Sequence, residues 1–113
     1  MSQGAYYSTG IGAAFGKIVS GVTAVPTSGT AVQITTTSTP VPGVWVGGDE
    51  NNAGLIVVGD SNVSGVAGSQ QGIMVEPAGN SIFIPVNNLN LLWVDSSVNG
   101  GRATWGYVQP ETD

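Results

Sequence analysis

From Val22 onward, short runs of β-favouring residues alternate with clusters of Gly, Pro, Asn, Asp and Ser. The spacing is roughly ten residues, as in sandwiches and barrels. The runs are Val22 to Val25, Thr30 to Thr37, Gly43 to Gly47, Leu55 to Gly59, Gly72 to Val75, Ser81 to Val86, Asn90 to Val94 and Arg102 to Val108. Val32, Ile34 and Thr36 alternate with Ala31, Gln33 and Thr35, and Ile82, Ile84 and Val86 alternate with Phe83 and Pro85. Each of these runs therefore has one face for a core. Leu55 to Val58 and Leu91 to Val94 are apolar throughout, which predicts strands covered on both sides, by the sandwich and by a partner or loop.

Pro85 has no N–H for a ladder, so its run is an edge strand or carries a bulge. Pro77, Ala78 and Gly79 read as a turn into that strand, and Asn99 before Gly100 and Gly101 predicts a tight turn joining the last two runs as a hairpin. The pattern predicts an all-β fold, an eight-stranded antiparallel β-sandwich of jelly-roll type. Its expected core is Val32, Ile34, Val44, Val46, Leu55, Val57, Ile73, Val75, Ile82, Ile84, Leu91 and Trp93.

Residues 1–21 behave differently. Gly4, Gly10, Gly12, Gly16 and Gly21 interrupt them too often for a stable helix or strand, which predicts an irregular Gly-rich N-terminal arm before a domain spanning 22–113. Yet Tyr6, Tyr7, Ile11, Phe15 and Ile18 are poor residues for a solvated tail. The arm is expected to lie against its own domain or against a neighbouring subunit, with these five side chains as partner-binding anchors.

A chain of 113 residues holds one core. Charged residues make up only 8% of it, far below the roughly 25% of ordinary soluble domains. Ser, Thr, Asn, Gln and Gly carry the polar load and disfavour helix. Lys17 and Arg102 face seven acids, and a net charge of -5 argues against nucleic acid as a partner. No segment approaches the roughly 20 apolar residues that span a bilayer, and residues 1–20 lack the pattern of a signal peptide. The expectation is a soluble protein without a membrane partner. The chain has no cysteine, so packing or association must hold it together.

Without His or Cys, the usual catalytic bases and nucleophiles are missing, and no catalytic residue is assigned. Asp49 and Glu50 are adjacent and sit in a polar loop rather than across a cleft, and Lys17, the only lysine, lies in the arm. Asp49, Asn51, Gly54 and Asp60 partly fit a calcium loop, but Ala53 and the strand-like segment from Leu55 break the pattern, and a polar turn is the better reading. Asn62, Val63 and Ser64 match a glycosylation sequon and read as a turn. Trp45, Trp93 and Trp105 suit core packing better than a sugar-stacking platform, since each falls within a strand run. No metal, nucleotide or other cofactor is expected.

Four segments resemble a kind of small protein that recurs in the structural gene clusters of tailed bacteriophages. They are PTSGTAVQITTTSTPVPGVWV at Pro26 to Val46, NNAGLIVVGDSNVS at Asn51 to Ser64, GIMVEPAGNSIFIPV at Gly72 to Val86, and NLNLLWVDSS at Asn88 to Ser97. The resemblance implies a β-sandwich virion component, similar to capsid decoration or cement proteins that bind the major capsid protein on the capsid exterior. It does not extend to residues 1–21. The function expected on this basis is structural and not enzymatic. A tail, baseplate or fibre component binding the host surface, or a carbohydrate-binding module, is the alternative. Few charges and open strand edges favour a homo-oligomer, a dimer or a trimer.

Overall fold

The computed structural model describes residues 16–75 and 80–110. It is all-β, with two four-stranded antiparallel sheets. The strands are β1 (Gly16–Val25), β2 (Val32–Gln33), β3 (Val44–Gly48), β4 (Ile56–Gly59), β5 (Ile73–Val75), β6 (Ser81–Ile84), β7 (Trp93–Ser96) and β8 (Gly101–Pro110). One sheet has the order β1-β8-β3-β6 and the other β2-β7-β4-β5. A single 3-10 turn, Leu89–Leu91, precedes β7, and no α-helix occurs among the described residues.

Buried residues from both sheets share one hydrophobic cluster. Val25, Val44, Val46, Ile84, Ala103 and Tyr107 come from the first sheet, and Ile56, Val58, Val75 and Val94 from the second. Val32, Ile34 and Ile82 pack half-buried against it. Val57, between Ile56 and Val58, is also fully buried, although its side chain lies on the opposite face of β4. That second face is covered by the loop after β4: a Cβ on Gly72 would touch the Val57 and Val63 methyls, and Val63 is buried. The run Leu55 to Val58 is thus covered on both sides, as its continuous apolarity predicts.

Several expectations need correction, and Leu55 and Trp93 of the expected core are half-buried outside the central cluster. Leu91 is not in the core but 53% exposed. Asn88 caps the chain there, its Oδ1 accepting the N–H groups of Asn90 and Thr39, and the resulting turn buries Leu89 and Leu92 instead. Ile73 is also exposed, because β5 is an edge strand from which only Val75 joins the cluster. Finally, Asn99 to Gly101 does not close a hairpin. The Gly100 N–H donates to Val25 O at the end of β1, at 2.8 Å, so the chain crosses from β7 in one sheet to β8 in the other.

The run beginning at Val22 is the second half of a longer strand, since β1 starts at Gly16 and pairs with β8 from Gly16↔Pro110 to Val25↔Gly101. Gly21, which looked like a strand breaker, lies opposite Trp105, and a Cβ there would run into the indole. The Trp105 Nε1–H donates to Thr23 Oγ1 at 3.0 Å. Glycine makes room in this strand for an aromatic neighbour. Pro85 follows β6, which is an edge strand as expected. Pro77, Ala78 and Gly79 lie outside the described residues.

Candidate protein-binding surface

Three successive rows of outward side chains on the first sheet fall into register, and a further row at the end of the face sets Ala24 opposite the exposed Arg102, which pairs with Asp49. In the first of the three, Ile18 lies opposite Val108. Ser20, Gly106, Trp45 and Phe83 form the next row, and Val22, Thr104, Gly47 and Ser81 the third. None of the residues in these three rows is ionisable. Ile18 is 79% exposed, Trp45 52%, and Val22, Phe83 and Val108 between 42% and 49%, so the face presents more large apolar side chains than scattered surface residues would.

Trp45 and Phe83 are a cross-strand pair with ring centroids 5.1 Å apart and planes tilted by 56°, a geometry favourable to aromatic pairs. Gly43 determines where Phe83 lies, because a Cβ at that position would run into its ring. On the other side of Trp45, Gly106 contributes no side chain, leaving half of the indole to solvent.

At one end of the molecule, Asp49, Asn52, Asn99 and Arg102 line an open recess of about 440 Å³. Arg102 Nε donates to Asp49 Oδ2 at 3.3 Å, and Arg102 N donates to Asn52 Oδ1 at 3.0 Å. Asp49 Oδ1 accepts the Asn51 N–H, and Asp60 Oδ1 accepts the Asn62 N–H, both at 2.9 Å. The two acids of the partial calcium pattern therefore each brace their own turn. Among the described residues, no three His, Cys, Asp or Glu side chains converge as a metal site. Asn62 lies in the turn closed by Val63 N and Asp60 O.

Of the anchors inferred from sequence, Tyr6, Tyr7, Ile11 and Phe15 lie outside the described residues. Ile18 lies in β1 and is exposed on the apolar face. Trp93 and Trp105 are half-buried, Trp105 against the core, whereas Trp45 is on the surface. Strand membership alone could not separate them. The alternation Val44, Trp45, Val46 could, because two flanking valines in a core force the residue between them outward. No helix among the described residues is long and apolar enough to cross a membrane. Compared with family models, curated proteins and solved structures, the chain matches none.

Proposed function

We propose that this chain is a structural protein of a virus particle, a decoration or cement protein that binds the major capsid protein on the capsid exterior and stabilises the head. It acts by binding, as a homo-oligomer, and not by catalysis. The observation that carries this reading is the uncharged patch of the outer face that holds Ile18, Val22, Trp45, Phe83 and Val108. Uncharged aromatic and aliphatic surface of this kind is what a protein partner covers. The phage-like sequence segments supply the kind of partner. The proposed architecture is an eight-stranded jelly-roll sandwich, supported by the sheet orders β1-β8-β3-β6 and β2-β7-β4-β5, which wind the chain back and forth between two sheets around one cluster.

A second reading rests on Trp45. A half-exposed indole beside Phe83 can also stack on a sugar ring, which fits a receptor-binding tail component or a lectin-like module. One binding experiment separates the two. Purified protein is offered to expanded phage heads emptied of DNA and, separately, to an array of host-cell glycans. Saturable binding to heads with increased resistance to heat supports the cement role. Binding to glycans alone overturns it in favour of the second reading.

A further inference from the structure

Among the described residues, the sheet orders leave four strand edges, at β1, β6, β2 and β5. β2 has two residues, β5 three and β6 four, with Pro85 directly after β6. Short strands and proline are standard defences against pairing with another chain. β1 has ten residues, no proline, and one charge, Lys17, near its outer end. Beyond Gly106, β8 is no longer paired with β3, so Gly16 to Val19 and Tyr107 to Pro110 run on as a two-stranded ribbon. Such a ribbon is marginal in water alone, and it exposes the Ile18–Val108 pair.

We propose that the chain forms a twofold dimer in which the β1 strands of two copies pair antiparallel, with Ser20 opposite its own counterpart. Directly opposed residues of an antiparallel pair share a face, so Gly16, Ile18, Ser20, Val22 and Ala24 must meet the same set in the partner. Centring on Ser20 is the register that sets Ile18 against the partner's Val22, and Val22 against the partner's Ile18. The two exposed apolar residues of the edge then cover each other. Lys17 falls opposite the partner's Thr23, and the two lysines stand at opposite ends of the ladder.

Charge supports a second copy as the occupant. The chain carries seven acids and a net charge of -5, yet no acid lies in Gly16–Val25, so two acidic molecules can approach here without opposed carboxylates. Pairing also joins the two first sheets into one, placing both Trp45–Phe83 pairs on the same outer face.

This deepens the homo-oligomer part of the proposed function, but its test uses purified full-length protein with no phage heads, so the two readings fail separately. Because the chain has no cysteine, Ser20→Cys gives a clean probe. Opposed strand residues have Cα separations compatible with a disulfide, so mild oxidation should give a covalent dimer as the main product. Ile18→Cys mixed with Val22→Cys should cross-link efficiently, and either alone poorly. In sedimentation at micromolar concentration the wild type should be a dimer. Ile18→Lys and Val22→Lys should each weaken it by roughly tenfold or more while circular dichroism stays all-β. A monomer by sedimentation, with Ser20→Cys linking no faster than Ser69→Cys in an exposed loop, overturns the proposal. So does a trimer, or efficient cross-linking only in another register.

Discussion

The Asp95 carboxylate accepts the Gly65 backbone N–H at 2.7 Å, through an oxygen that also accepts the Gly29 N–H at 3.2 Å. Its other oxygen accepts Ser96 N–H at 2.8 Å and Gly29 N–H at 3.1 Å. Asp95 is fully buried in β7, so one side chain ties that strand to the loop after β1 and the loop after β4. A Cβ at Gly65 would collide with the Ser96 carbonyl group, which is why the loop can approach so closely only at glycine.

Replacing Asp95 with Ala is therefore expected to destabilise the protein by about 3 kcal/mol or more, since buried N–H donors lose their acceptor and each costs about 1–3 kcal/mol. Asp95→Asn keeps one acceptor oxygen and should fall between Ala and wild type. Urea unfolding measures both. A loss below about 1 kcal/mol for Asp95→Ala would mean that water satisfies these donors and that the carboxylate does not fasten the loops.

Two glycines in adjacent strands, Gly21 of β1 and Gly106 of β8, give a sharper contrast. Gly21→Ala places a methyl group in the Trp105 indole and is expected to cost about 1–3 kcal/mol by overpacking. Gly106→Ala meets only ordinary contacts, the nearest at 3.4 Å to Val19 O, and should change stability by less than about 0.5 kcal/mol. Equal effects at the two positions, read by thermal unfolding and Trp fluorescence, would contradict the interlock of Gly21 with Trp105.

Leu91 and Leu92 test the turn before β7. Leu92→Ala should cost about 2–5 kcal/mol, as a buried leucine does, and Leu91→Ala less than about 1 kcal/mol, because Leu91 is half in solvent. The opposite order would place Leu91 in the core and Leu92 at the surface.

These positions also show what the sequence could and could not reveal. Alternation at Val44 and Val46, continuous apolarity at Leu55 to Val58, and Pro85 at an edge are local signals, and each has its counterpart in the fold. The destination of Gly100 was hidden because its N–H is satisfied by Val25, 75 positions earlier in the chain, and not by the adjacent strand. Gly21 misled for the same reason: the indole that requires it belongs to β8. The apolar face was likewise out of reach. Ile18, Trp45, Phe83 and Val108 belong to four strands, and only the ladder registers bring them onto one surface.

The last prediction concerns binding and divides the surface from residues 1–15. Trp45→Ala removes a half-exposed ring from the outer face without opening the core, so its unfolding midpoint should stay near wild type. If that face contacts capsid, affinity for expanded heads should fall by about 2 kcal/mol, or roughly 30-fold, as for an aromatic hot spot. Tyr7→Ala with Phe15→Ala should weaken head binding similarly if those aromatic residues act as anchors. A truncation testing the same idea must end at residue 15, because Gly16 to Ser20 pair with Gly106 to Pro110 and their loss would remove half of the β1 ladder. Head occupancy and thermal protection, measured for all three proteins, assign the roles. Loss with Trp45→Ala alone places the contact on the sheet, and loss with the truncation alone places it in residues 1–15. Wild-type occupancy in all three would refute capsid binding through either.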